Sequence, residues 1–159
     1  VLYTGNPTIG STIKFKGKNW IVTHKSGSNI YVSDYVIEST TQFGSHNAYA
    51  GSTLENVAAV FQSDLGLTTT EQLLIPNTIV NGVTAKVFVA SYEQMNGEWS
   101  YFNSNARRIC NYKGTAQWYW TSSPVSSTGI WVVNGDGSFS TYYDHGNPGA
   151  FRPSICLPA

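Results

Sequence analysis

The stretch from Ser52 to Gly66 constrains this chain more than any other, because it spells one amphipathic helix with both ends marked. Ser52 and Glu55 stand at capping-box spacing, so that a hydroxyl and a carboxylate can each satisfy an amide that a helix start leaves unpaired. Leu54, Val57, Ala58, Phe61 and Leu65 follow on one face, and Gly66 offers the left-handed residue that ends a helix. The spacing predicts a helix over 53–65. Its apolar face needs a partner, and the sequence on both sides is strand-forming. The fold class that satisfies both is α+β, antiparallel sheets with about two helices packed against them.

Residues 12–16 alternate, Gly17-Lys18 can turn, and residues 19–24 carry Trp20, Ile21, Val22 and Thr23, which predicts a hairpin. A third strand is expected over 30–37 and a polar, glycine-containing loop over 40–51. Beyond the helix, Thr68 with Glu71 repeats the capping box ahead of Leu73-Leu74-Ile75, and Pro76 stops that turn. Residues 79–89 return to strand chemistry around Asn81-Gly82. Ser91 with Gln94 forms a third box, after which Tyr92, Met95, Trp99 and Phe102 line one face of a short helix that Gly97 weakens. The last third is strand and turn, over 118–122, 129–133, 138–143 and 151–157, with Asn134-Gly135-Asp136-Gly137 as a hairpin signal. No repeat interrupts this order, and 159 residues is the size of one unit, so 1–159 is read as a single domain.

Nine Lys and Arg balance nine Asp and Glu, and a protein that grips phosphate backbones needs a basic excess, which argues against nucleic acid as a partner. Charged residues are only 11%, against about 25% in ordinary soluble domains, while Gly, Ser, Thr, Asn and Tyr are plentiful. Such a surface suits extracellular and virion proteins, whose contacts are made by hydroxyls, amides and rings. No run of about 18 apolar residues occurs, so no membrane span is expected, and the first residues lack the blocks of a signal peptide. The chain opens without Met, which suggests excision or processing from a longer protein. Cys110 and Cys156 are too few for a disulfide framework and lack zinc-site spacing. Two buried thiols and one bridge both remain open.

The sequence carries no catalytic signature. His24, His46 and His145 are far apart, with no ligand-spaced partner, and no nucleophile elbow, P-loop or dinucleotide fingerprint accompanies a strand-to-helix turn. Glu71 and Glu93 read as first-turn residues, and Asp34, Glu38, Asp64 and Glu98 as isolated surface acids. The expectation is a non-enzymatic protein without metal or cofactor.

Three segments of the last third carry a resemblance. Tyr119-Trp120-Thr121-Ser122-Ser123-Pro124, Val132-Val133-Asn134-Gly135-Asp136-Gly137-Ser138 and Gly149-Ala150-Phe151-Arg152-Pro153 are similar, in order and spacing, to a bacterial and phage family with a WW-L-R-S-P, V-N-x-D-G, G-x-R-P signature. This DUF6273-like family has a fold similar to C-type lectins. Gly10 to Phe15 with Trp20-Ile21-Val22, and Tyr49 to Leu54, resemble its opening hairpin and first helix entry. Thr121 and Ser122 depart from it, standing where Leu and Arg are usual, and Ala150 precedes Phe151. The resemblance implies a C-type-lectin-like domain whose first and last strands pair and whose long C-terminal loop region displays a binding surface. It also implies that Trp120 points inward. C-type lectins proper hold calcium through Glu-Pro-Asn or Gln-Pro-Asp triplets, and this chain has neither. Asn134 and Asp136 are better explained by the turn.

Trp118, Tyr119, Trp120, Trp131, Phe139, Tyr142, Tyr143 and Phe151 crowd one stretch, more ring area than one sheet face can hide. With Trp120 inward, alternation puts Trp118 on its face and Tyr119 on the other. Exposed Tyr beside Ser, Asn and Gly is the chemistry of adaptable recognition. Tyr119, Tyr142, Tyr143, Asp144, His145 and Asn147, with Ser126, Ser127 and Thr128, are the expected ligand surface, and Trp20, Trp120, Trp131 and Arg152 the expected core. The competing expectation packs Tyr142 and Tyr143 under the loop at 146–149. The functional expectation is receptor recognition or adhesion on a phage virion, as a tail, fibre or head decoration. Its partner would be a bacterial surface glycan or protein, alongside other virion subunits and a homo-oligomer of itself. A bacterial surface or secreted adhesin and a structural virion domain are the alternatives.

Overall fold

The computed structural model describes residues 5–158. The chain folds as a sheet-rich α+β structure with two five-stranded sheets and few helices. The first sheet is built from β1 (Thr12–Phe15), β2 (Lys18–Ser26), β3 (Asn29–Asp34), β14 (Ser154–Pro158) and β7 (Val87–Phe88), in that spatial order and wholly antiparallel. The second runs β12 (Phe139–Tyr142), β11 (Gly129–Val133), β10 (Tyr119–Val125), β13 (Gly149–Phe151) and β4 (Ser39–Thr41), with only the β10 to β13 pairing parallel. Two small hairpins, β5 (Thr78–Val80) with β6 (Val83–Ala85) and β8 (Asn111–Tyr112) with β9 (Thr115–Ala116), complete the strands.

Local signals act where expected. Helix α1 covers Thr53–Leu65, the Ser52 hydroxyl accepts from the Glu55 amide, and Gly66 closes the helix in the left-handed conformation. The Glu55 carboxylate reaches one residue further back than a capping box requires, to the Gly51 amide at 2.9 Å. The full reciprocal box occurs at α2 (Thr69–Leu74), between Thr68 and Glu71. The first hairpin turns at Lys16-Gly17, not Gly17-Lys18, because a two-residue turn of this hand needs positive φ at both central residues and these have 53° and 74°. Asn81-Gly82 repeats that geometry between β5 and β6 at 46° and 80°. Ser91 and Gln94 exchange both capping hydrogen bonds, and the turn they start ends early because Gly97 takes φ 103°. Met95, Trp99 and Phe102 are buried by it.

Two long-range expectations are corrected. The last strand does not pair with the first: β14 lies between β3 and β7, and β1 stays at the sheet edge. Residues 151–157 do not form one strand either. The chain leaves β13 in the second sheet and enters β14 in the first across Arg152-Pro153, so this step joins the two sheets. Proline there cannot donate to a ladder, and Arg152 is sealed inside, its Nε donating to the Asp34 carbonyl of β3 at 2.9 Å. Helix α1 packs against β7 and β4, and one continuous cluster of apolar side chains runs through both sheets. Both cysteines are free and buried, so the thiol alternative holds.

Candidate recognition surface

Strand β10 decides which of the clustered rings can meet a partner. Its alternation is as expected, with Trp118 and Trp120 on one face at 5.0 Å between ring centroids and Tyr119 on the other. Both faces, however, are covered. Trp120 packs edge-on against Phe43 at 5.6 Å and donates its indole N–H to the Thr41 carbonyl at 2.9 Å. Tyr119, 0% exposed, donates its hydroxyl to the Arg108 carbonyl at 2.6 Å and accepts from Arg152 Nη1 at 3.0 Å. Burial pushes its phenol up to about 12, so it stays protonated and keeps both bonds. Tyr119 therefore cannot touch a ligand, because a layer formed by Arg108, Arg152 and Met95 lies where solvent was expected.

Arg108 and Arg152 organise that second layer, and only Arg152 was singled out in the sequence. Arg108 is buried in α3 (Asn105–Arg108). Its Nε donates to the Gly137 carbonyl at 2.8 Å, its Nη1 to Met95 and Phe102 carbonyls, and its guanidinium sits 4.5 Å from the Phe139 ring. A Cβ on Gly137 would fall 1.8 Å from the Asn105 carbonyl oxygen, which fixes glycine in the Asn-Gly-Asp-Gly turn. Gly149 is held as tightly, since a Cβ there would come within 2.4 Å of the Trp118 ring. The four-residue helix at Asn105 lacks a side-chain capping bond and apolar periodicity, so the pair Arg107-Arg108 ahead of Ile109 was its only trace.

Thr121 and Ser122, where the chain departs from the resembled signature, are buried with Ser123 at a bulge of β10. Their hydroxyls are satisfied: Thr121 donates to the Trp131 carbonyl at 2.6 Å, and the Asn81 amide donates to Ser122 and Ser123 at 2.9 and 3.2 Å. Trp131 departs from its core assignment. It is only partly buried, stacked on Tyr92 at 4.3 Å, while Trp20, Trp120 and Arg152 are sealed.

The remaining residues gather at one tip. The β10–β11 turn, with Ser126 at φ 55°, exposes Ser126, Ser127 and Thr128. The segment after β12 returns beside it. His145 hydrogen-bonds the Thr128 carbonyl through Nε2, the Tyr143 ring lies over Gly129, and Asn47 donates to the Gly129 carbonyl at 3.2 Å. The His145 carbonyl accepts from the amides of Phe43 and Gly44 at 2.8 and 3.3 Å, anchoring the segment to the body. Tyr142 and Tyr143 divide the two expectations between them. Tyr142 is half-buried against Trp118 at 4.9 Å and hydrogen-bonded to Asn147, whereas Tyr143 is 58% exposed, and Asp144, Gly146 and Asn147 are exposed beside it.

The family described as domain of unknown function DUF6273 matches residues 46–159. The chain belongs to this family. No curated protein matches it, and no solved structure does. In this DUF6273 chain the matched region holds α1, the whole second sheet except β4, and the tip, while β1 to β3 lie outside it. No helix among the described residues is long and apolar enough to cross a membrane. Among them, too, no three His, Cys, Asp or Glu side chains converge as a metal site would require.

Proposed function

We propose that this DUF6273 domain is a non-enzymatic recognition and adhesion module with a C-type-lectin-like architecture, carried on a phage virion and directed at a bacterial surface glycan or protein. The observation that supports this reading is the tip. Two segments distant in sequence, 126–129 and 143–147, are held together by hydrogen bonds yet leave a tyrosine ring, two serines, a threonine, a carboxylate and an amide open to solvent. A rigid ring costs little entropy to immobilise, and short polar groups around it adapt to many partners. The low share of charged residues, with Asp144 the one carboxylate at the tip, limits the desolvation that such contacts require.

Replacing Tyr143, Asp144 and Asn147 together by Ala tests it. Binding of the labelled domain to intact bacterial cells of a susceptible strain should fall at least tenfold while the melting temperature stays nearly constant. Undiminished cell binding by the triple variant would remove the tip from recognition.

A further inference from the structure

A second concavity shares no residue with the tip. It has a volume of about 400 Å³, within the range of about 300–1,000 Å³ usual for small-molecule sites, and opens between the outer end of the β2–β3 hairpin, β5 and the turn over 94–99. Its floor is aromatic: the Tyr31 and Trp99 rings lie 5.5 Å apart, tilted by 33°. Trp99 is almost wholly covered, so Tyr31 supplies the accessible ring. Around it stand an imidazole from His24, hydroxyls from Ser26 and Thr78, amides from Asn77 and Gln94, and the Glu98 carboxylate.

Two details mark this as more than a surface dent. Strand β2 is bulged between Val22 and His24, and the register shift sets His24 beside Tyr31, with 6.0 Å between ring centroids. Bulges are a common means of re-aiming a side chain next to a site. His24 Nδ1 is enclosed without a hydrogen-bond partner among the described residues, and Nε2, which is not enclosed, is the ring nitrogen that a ligand can reach. Gln94 is buried and its Oε1 is engaged by the Ser91 amide at 2.9 Å, so its NH₂ is the group left for the cleft.

The chemistry selects the ligand class. No lysine or arginine lines the cleft, and Lys86, which reaches the lining residue Asn77, is already engaged by the Ile75 carbonyl at 2.8 Å and Asn77 Oδ1 at 3.3 Å, so a phosphate or carboxylate would meet no free counter-charge. An apolar ligand would strand the imidazole, amides and hydroxyls. A sugar ring fits both conditions, since its C–H face lies on an aromatic ring while its hydroxyls both donate and accept. We propose that this cleft binds a neutral pyranose unit of a glycan, with Tyr31 beneath the ring and His24, Asn77, Gln94 and Glu98 bonding its hydroxyls. The proposal is independent of the tip.

A panel of methyl glycosides of glucose, galactose, mannose and N-acetylglucosamine, titrated into the ¹⁵N-labelled domain, tests it. At least one glycoside should shift amides confined to 24–31, 77–79 and 94–99, with a Kd of about 1–10 mM, the range open to a single small ring. Ser26→Trp fills the cleft from its exposed rim and should weaken that binding at least tenfold, and Tyr31→Ala at least fivefold; Tyr143→Ala, at the tip, should leave it unchanged within twofold. Should Ser26→Trp lose the folded spectrum, Asn77→Ala, at an exposed position, takes its place. The proposal is overturned if no glycoside perturbs the cleft at tens of millimolar, if the cleft-filling variant binds as well as the parent, or if the shifts map to 126–147.

Discussion

Tyr119 and Tyr143 belong to the same ring-rich stretch, yet one is sealed with two hydrogen bonds and the other stands more than half in solvent. The difference lies in what covers each side of the sheet. At Tyr119, β10 sits mid-sheet with Trp120 packed on one face and Arg108 and Arg152 on the other, so alternation sorts side chains between two interiors. At Tyr143 the chain has run past the end of β12, beyond the reach of a second layer. A scaffold and its tip can thus use the same residue types for opposite purposes, tyrosine as a buried bridge and tyrosine as a contact.

The sharpest attack on the scaffold side is Gly137→Ala. The new Cβ would overlap the Asn105 carbonyl and demand a left-handed alanine at φ 83°, a loss of roughly 3 kcal/mol or more. For a chain of this size that lowers the melting temperature by about 10 °C in a thermal scan, or prevents folding. A variant as stable as the parent would mean that the Arg108 loop gives way freely.

Next is the buried acid on the scaffold. Asp34 is 1% exposed, its Oδ1 accepts from the Val36 amide at 3.1 Å, and its carboxyl is raised to about 8, first by burial and then by the neighbouring Glu38 carboxylate. Lys18 pairs with Glu38 at 2.9 Å, and Arg152 bonds the Asp34 backbone and not its carboxyl. Burial works to raise Glu38 as well, but hydrogen bonds from Asp34 and Lys18 outweigh it and hold Glu38 below its ordinary value. Because the folded state keeps a proton on Asp34 that the unfolded chain releases near 3.8, its contribution to stability is complete below that value and drains away as pH rises to about 8. Denaturant unfolding between pH 5 and 8 should show stability falling, by at most ~1.4 kcal/mol per pH unit for one proton. Asp34→Asn should flatten that slope and be the more stable protein at pH 8; a parent with level stability across the window would refute the protonated carboxyl.

Tyr119→Phe keeps the ring and removes only the bridging hydroxyl, stranding the Arg108 carbonyl and one Arg152 donor at a cost of about 1–3 kcal/mol. Chemical denaturation measures it directly. The smallest effect is expected at the tip, where Tyr143→Ala should change stability by no more than ~0.5 kcal/mol. A loss as large as that of Tyr119→Phe would erase the contrast and make Tyr143 part of the core.

Much of this was legible in residue order. The caps of α1, the turns at Asn81-Gly82 and Asn134 to Gly137, and the alternation of β10 all follow from neighbours within a few positions. Three features were not. Residues 151–157 carry strand chemistry throughout, and nothing in that run announces that Arg152-Pro153 passes from one sheet to the other. Arg108 looks like a surface cation until Gly137, Met95 and Phe102 present it with carbonyls. His24 reads as a strand-end histidine without a ligand-spaced partner, and the bulge that turns it toward Tyr31 leaves no mark in the sequence.

Capping, turn formation and the period of side chains along a strand are settled by atoms a few bonds apart, and for these the order of residues in this chain was sufficient. Which face of a strand meets water depends on surfaces more than a hundred residues away, as Arg152 on Asp34 and Ser154 on Ser33 illustrate. Closing both sheets on one core converted Tyr119 from a contact into a girder and left Tyr143 outside. That choice belongs to the packing of layers, because burial is a property of the space between elements and not of any one of them.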